Sequence, residues 1–147
     1  MNTFEFVFAH GTYVPQYRRL TVRRMRFDNA AMFKTSNVTI LVSDMTRSIK
    51  FYTEVLGLKL ISNYGGEFAV IESNGLRIGL HPGRKPGEKS NRSMSLGFQV
   101  EDAAAAKKTL ESRGVKFENR VQDRGSIIEN FYDPDDTPLY LIELKWG

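Results

Sequence analysis

His81 is the candidate for acid–base chemistry in the body of this 147-residue chain, which contains two histidines and no cysteine. The pKa of imidazole lies where proton transfer is useful near neutral pH. His81 follows Gly79 by two residues, so in a strand the two point to the same face. His81 also precedes a proline at the start of a polar segment, a position typical of a linker histidine without function. The missing cysteines exclude thiolate nucleophiles, disulfides and cysteine-ligated zinc.

Two units with the same order of elements must position these residues. In each unit a strand is followed by an amphipathic helix that ends at a glycine, and then by three strands. The offset between the units is nearly constant: 58 positions from Val42 to Val100, and 57 from Gly57 to Gly114. The predicted helices begin after caps at Asp44 or Thr46 and at Asp102, and the predicted strands cover residues 37–42, 58–64, 67–72, 76–80, 93–100, 115–121, 126–132 and 138–144.

One such unit has a sheet with only one face covered by its helix, so joining two units buries more apolar surface. We therefore expect an α+β fold in which two pseudo-symmetric βαβββ modules form a curved mixed sheet around a cup, with the helices on the outside. The boundaries that follow are an extension over residues 1–31 and one domain over residues 32–147. Within that domain, module one covers about 36–81, a Pro- and Gly-containing linker 82–92, and module two about 93–146.

The charge of the chain is concentrated at its N-terminus. Residues 1–31 hold five arginines and two acids, which supply +3 of the formal net charge of +4. The near-neutral remainder gives no electrostatic reason to expect nucleic acid as a partner. No apolar run approaches the roughly 18 residues of a membrane span. We expect a cytoplasmic protein with a loosely ordered extension; an arginine-rich targeting segment and a strand swapped between chains are the alternatives for residues 1–31.

Two stretches carry a family resemblance: VSDMTRSIKFYTEVLGLKL, residues 42–60, and DPDDTPLYLIEL, residues 133–144. Together they resemble the vicinal oxygen chelate superfamily, which includes glyoxalase I, extradiol dioxygenases, fosfomycin-resistance enzymes and bleomycin-binding resistance proteins. The resemblance covers about residues 36–145. It implies a glyoxalase-like domain of paired βαβββ modules, a ligand cup and a homodimer, but it does not imply one reaction.

The resemblance also implies where a metal would be bound. Enzymes of this family usually hold a divalent metal with His, Glu or Gln side chains, one from the first strand and one from the last strand of each module. The corresponding positions in this chain are Asn37, Gly79, Ser95 and Tyr140. Glycine has no side chain, asparagine and serine are weak neutral ligands, and tyrosine is protonated near neutral pH. We therefore expect no metal and no cofactor, unless His81 serves as a displaced ligand.

Strand alternation predicts a cup lined by a few donors and acceptors, one cation and some apolar surface, which suits a small organic molecule. The first hypothesis is a metal-free small-molecule-binding protein that holds its ligand in the cup or at a dimer crevice. The alternatives are a metal-dependent lyase or dioxygenase with a remodelled site, a metal-free enzyme that uses His81, and a scaffold whose cup is filled. The candidate ligand-binding residues are Asn37, Thr39, Arg77, Ser95, Gln99 and Tyr140 in the cup, with Tyr64, Phe68 and Trp146 at the crevice.

Overall fold

The computed structural model describes residues 35–89 and 93–145. The predicted extension, residues 1–31, lies outside the described residues, and so does Trp146. None of the described helices is long and apolar enough to cross a membrane. In chain order the elements are β1 (Val38–Val42), α1 (Met45–Lys50) continued by a π-helical turn (Phe51–Val55), β2 (Lys59–Tyr64), β3 (Phe68–Ser73), β4 (Leu76–Pro82), β5 (Leu96–Gln99), α2 (Ala103–Ser112), β6 (Phe117–Asp123), β7 (Ser126–Tyr132) and β8 (Pro138–Leu144).

The strands form two four-stranded sheets with the same topology. The strand order is β1-β4-β3-β2 in module one and β5-β8-β7-β6 in module two. In each sheet the first and last strands of the module pair in parallel, and the other pairs are antiparallel. The predicted α+β fold of two βαβββ modules is confirmed. The two sheets are separate four-stranded units.

Both helices begin and end at predicted residues. The Asp44 carboxylate accepts a hydrogen bond from the backbone N–H of Arg47 at 2.9 Å, so Asp44 rather than Thr46 caps α1. Asp102 caps α2 in the same way, through the N–H of Ala105 at 2.8 Å. The glycines that follow the helices, Gly57 and Gly114, have φ angles of 75° and 91°. These left-handed conformations suit glycine and let the chain turn into the next strand.

The helix-facing sides of the two sheets share one apolar core. Alternation along β1 buries Ile40 and Val42, and alternation along β4 buries Ile78 and Leu80, the partners of Val38 and Ile40. The strands β5 and β8 contribute in the same manner in module two. Fully burying one such side chain stabilises the fold by about 1.5–3 kcal/mol. The core contains Ile40, Val42, Tyr52, Ala69, Ile71, Ile78, Leu80, Leu96, Leu110, Val115, Phe131, Leu139 and Leu141.

A buried hydrogen bond joins the two modules. The hydroxyl of Tyr52, in the helix of module one, donates to Asp133 Oδ2 in the β7–β8 turn of module two at 2.9 Å. The other carboxylate oxygen of Asp133 accepts from the backbone N–H groups of Asp135 and Thr137. Burial raises the pKa of Asp133, although these hydrogen bonds oppose the rise, and burial raises the pKa of Tyr52 well above its ordinary value. Tyr52 therefore remains a protonated donor.

Asp135 strengthens the same junction from the other side of the turn. Its carboxylate accepts hydrogen bonds from the backbone N–H and the hydroxyl of Ser43. Arg47 forms an ion pair with it at 3.1 Å, and the Ser48 hydroxyl lies 3.4 Å away. The DPDD turn of module two is thus bound to the start of the first helix, which fixes the position of one module against the other.

The modules differ beneath their helices. Ala69 in β3 pairs with Leu80, and the corresponding residue of β7, Glu129, pairs with Leu141. Glu129 is 1% exposed, and its carboxylate lies 2.8 Å from the ammonium group of Lys107 on α2. Module two therefore contains a buried carboxylate in a partly buried ion pair where module one has apolar packing.

Candidate functional site

The open face of module one is built around Gly79. Gly79 lies between Thr39 of β1 and Val70 of β3, with no side chain to fill the space above it. The ring of Phe68 covers this space: a Cβ on Gly79 would lie 2.9 Å from Phe68 Cζ and 3.1 Å from Thr39 Oγ1. A longer side chain at position 79 would therefore collide with Phe68 unless that ring moved.

Three rings form a row on this face. Phe68 stacks against Tyr64 with 6.4 Å between ring centroids, and the ring of His81 lies 6.3 Å from that of Phe68. Tyr64 is 63% exposed and His81 is also exposed, so the row is open to a ligand. The amide of Asn37 donates to the hydroxyl of Thr39 at 3.0 Å. The row and this polar pair together surround Gly79 with stacking surfaces and hydrogen-bonding groups.

The open face of module two is built around Gly97. In β5 this glycine pairs with Tyr140 of β8, and a Cβ on Gly97 would overlap the Tyr140 ring. Tyr140 is half-buried, so its ring rests on the glycine and remains partly accessible. Ser95 and Gln99 are exposed on either side of Gly97 along the chain. Each open face thus has an aromatic ring lying on a glycine.

The structure brings the predicted site residues together as two groups. Asn37, Thr39, Tyr64, Phe68 and His81 surround Gly79, whereas Tyr140 lies on Gly97 in the other module. No hydrogen bond or ring contact among residues 35–89 and 93–145 joins Tyr140 to the module-one group.

Arg77 and Gln99 lie on the same strands as Gly79 and Gly97, two residues away from each glycine. Arg77 is exposed on β4, where Glu72 is its partner on β3. Thr39 also lines a mixed polar and apolar cavity of about 370 Å³, and Gln99 lines a mainly apolar cleft of about 520 Å³ between the modules. The residue that the sequence analysis missed is Arg113, which lines that cleft.

The residues at the four family metal positions do not fit a divalent metal. Gly79 offers no donor and is covered by Phe68, and Tyr140 offers a neutral hydroxyl. Asn37 already donates its amide to Thr39, and Ser95 is a weak neutral donor. In the part of the chain that the structure describes, no group of three or more His, Cys, Asp or Glu residues is placed to hold a metal ion.

The fold and the paired open faces define a two-module βαβββ protein of the glyoxalase type. The sequence model described as "Glyoxalase/Bleomycin resistance protein/Dioxygenase superfamily" matches residues 34–139. The chain belongs to this superfamily.

Similar proteins include members with and without a named activity. The chain is 28% identical over 127 residues to the uncharacterized protein YraH of Bacillus subtilis, covering 76% of this chain and 98% of YraH. It is also 28% identical over 144 residues to a lactoylglutathione lyase of Schizosaccharomyces pombe, covering 76% of this chain and 47% of the lyase, so it spans about half of that relative.

A solved structure shares the fold at lower sequence identity. The fosfomycin resistance protein FosX of Listeria monocytogenes, in complex with Mn(II) and 1S,2S-dihydroxypropylphosphonic acid, has a TM-score of 0.60 and 19% identity. The match covers 72% of this chain and 86% of FosX.

Proposed function

We propose that this protein is a metal-free small-molecule-binding member of the superfamily, which holds its ligand against the open faces of its sheets. The observation that carries the proposal is the replacement of metal ligands by aromatic packing. A side chain at Gly79 would meet the ring of Phe68, and the Tyr140 ring lies on Gly97. These rings offer a ligand a stacking surface at the positions where enzymes of the family usually have His, Glu or Gln metal ligands.

The chemistry of the faces favours a ligand with a flat ring and polar edges. Phe68 and Tyr64 provide apolar faces for stacking, each such contact contributing about 0.5–1.5 kcal/mol. Thr39 and the Tyr140 hydroxyl provide neutral hydrogen-bonding groups, worth about 1 kcal/mol each. Arg77, exposed on β4, adds one cation to the rim. Such weak contacts reach useful affinity only in combination, which suits reversible binding of an organic molecule in a homodimeric, cytoplasmic protein.

The experiment has a metal arm and a ligand arm. Protein purified without chelator is analysed for Ni, Zn, Fe and Mn, and we expect far less than one metal ion per chain. A library of small aromatic compounds is then screened by amide chemical-shift changes, and we expect the shifts to map to the residues around Gly79 and Gly97.

The ligand arm is sharpened by matched variants. Phe68→Leu should weaken the binding of the compounds found in the screen. Phe51→Leu, in the π-helical turn on the other side of the sheet, should leave their affinity unchanged. One metal ion per chain, or hits that do not respond to Phe68→Leu, would contradict the proposal.

A second candidate is an enzyme, because the chain is similar to a lactoylglutathione lyase. In that case His81, exposed beside Phe68, is the residue that would act as a displaced metal ligand or as a general acid–base group. Lactoylglutathione lyase activity that depends on added Ni, Zn or Mn and disappears in His81→Asn would favour the metal enzyme. Activity that survives chelation and is lost in the same variant would favour a metal-free enzyme.

A further inference from the structure

A cleft of about 520 Å³ lies between the two modules, away from the rings around Gly79. Module one contributes the residues that follow its helix and the turn between β3 and β4. Module two contributes β5 and one side of α2. The described lining includes Phe98, Gln99, Ala106, Thr109, Leu110 and Arg113.

The size and lining of this cleft are those of a ligand site. Pockets that bind small molecules have volumes of about 300–1,000 Å³ and are mainly apolar with a few polar groups. Leucines from both modules form the apolar wall, and Gln99 and Thr109 are exposed polar groups at its edge. Among residues 35–89 and 93–145, β8 is the one strand hydrogen-bonded to β5, and no described strand pairs with the other edge of β5. The cleft therefore combines apolar surface with a polar rim.

Arg113 gives the cleft a positive charge. It is the one charged residue among the described lining residues. Its Nη1 donates to the backbone carbonyl of Val55 at 2.7 Å, which holds the guanidinium across the junction between the modules. A guanidinium has five N–H donors, and no other protein acceptor for Arg113 occurs among residues 35–89 and 93–145. The remaining donors can bind the carboxylate of a ligand.

We propose that this cleft binds a small amphiphilic acid, with its apolar chain between the modules and its carboxylate on Arg113. The complementarity of charge selects an anion over a neutral or cationic molecule of the same length. The cleft lies apart from the rings around Gly79 and shares Gly97 and Gln99 with the open face of module two. Its occupation does not depend on the proposed function of those faces.

The test uses the full-length protein with octanoate, octanol and octylamine as probes, followed by calorimetry and amide chemical shifts. We expect octanoate to bind more tightly than the other two and to shift the amides of Phe98, Ala106 and Leu110. Arg113→Met should weaken the binding of octanoate about tenfold, because a charge-assisted hydrogen bond is lost, and should leave the affinity for octanol unchanged. Arg124→Met, an exposed arginine in the β6–β7 turn, is the matched control and should have no effect.

A second pair of variants tests the position of the apolar chain. Thr109 is exposed on α2 and lines the cleft, so Thr109→Trp should fold and should obstruct binding of octanoate and octanol alike. Ala104→Trp, also exposed on α2 but outside the cleft lining, is the control and should bind as the parent chain does. The proposal is overturned if octanoate causes no saturable shifts, if it shifts the amides around Gly79 instead, or if Arg113→Met and Thr109→Trp bind it normally.

Discussion

Removing the Tyr52 hydroxyl should weaken the joint between the modules while leaving its ring in place. Tyr52 is fully buried and donates at 2.9 Å to Asp133, which is 5% exposed. In Tyr52→Phe, one oxygen of a buried carboxylate loses its donor, whereas the other oxygen keeps two backbone donors. Leaving a buried polar atom unsatisfied costs about 1–3 kcal/mol, and more when it is charged. We expect a loss of about 2–3 kcal/mol in the free energy of unfolding at neutral pH.

The loss of stability in Tyr52→Phe should depend on pH, and the shift in the pKa of Asp133 determines whether it is larger at acid or at neutral pH. Because burial raises that pKa, the contribution of Asp133 to stability is fully present below its unfolded pKa, near 4, and declines as pH rises through the folded pKa. The hydrogen bond from Tyr52 lowers the pKa, so its removal raises the pKa further and extends the decline in stability to higher pH. The difference between Tyr52→Phe and the parent chain should therefore be larger at about pH 7.5 than at about pH 4.5.

Urea unfolding at the two pH values measures this difference. Tyr64→Phe, which removes the hydroxyl of an exposed tyrosine, is the control and should change stability by less than about 0.5 kcal/mol. In an Asp133→Asn background, the effect of Tyr52→Phe should become smaller and independent of pH. A loss below about 0.5 kcal/mol at neutral pH, or a larger loss at acid pH, would show that this hydrogen bond does not hold the modules together.

Three further outcomes follow from the structure and the sequence. Lys107→Met should lower the free energy of unfolding by about 3 kcal/mol, because among the described residues it leaves the buried Glu129 carboxylate with the more distant Arg120 as its partner. The double variant Lys107→Met/Glu129→Leu should recover most of that loss. Urea unfolding that shows no recovery would contradict this. Light scattering at tens of micromolar should report a dimer, and a mass near the 16.8 kDa of one chain would reject it. Deletion of residues 1–31 should leave both the far-UV spectrum and the dimer unchanged; a truncated chain that unfolds or changes mass would favour a docked or swapped extension.

The order of the elements could be predicted from the sequence because it depends on local patterns. The terminal strands show this: β7 and β8 occupy the predicted residues 126–132 and 138–144. Capping residues and glycines fixed the helix ends to within a turn, because a cap is recognised by its own side chain. The nearly constant offset in sequence between the modules then showed which strand of one module is equivalent to which strand of the other, without any knowledge of long-range contacts.

The contacts that define the candidate sites depend on residues far apart in the chain and could not be predicted from local patterns. The DPDD sequence indicated a turn, but nothing near it shows that Asp133 binds a tyrosine 81 positions away. Gly79 was recognised as an absent ligand, whereas the ring of Phe68 above it is visible only in the folded sheet. Glu129 occupies a core-facing position of β7, where alternation alone predicts an apolar residue.

Variants of Tyr140 test whether its ring contacts the ligand or only packs between the strands. One side of its ring rests on Gly97, and the half-buried side chain keeps the rest accessible. If Tyr140 contacts the ligand, Tyr140→Phe should leave the stability of the fold unchanged. The same variant should weaken the binding of a screened aromatic compound by about 1 kcal/mol, the contribution of one hydrogen bond. Tyr140→Ala should weaken the binding of that compound further. Its loss of stability should be smaller than the roughly 3–5 kcal/mol expected when a buried aromatic side chain is truncated.

Gly97→Ala provides an independent test of the same ring. The added Cβ overlaps Tyr140, so the ring must rotate away, and ligand affinity should fall although the hydroxyl is retained. Unfolding curves and titrations of the three variants separate the two roles. If Tyr140→Ala loses about 3–5 kcal/mol of stability while affinity stays the same in all three, Tyr140 fills space between the strands and the ligand binds elsewhere.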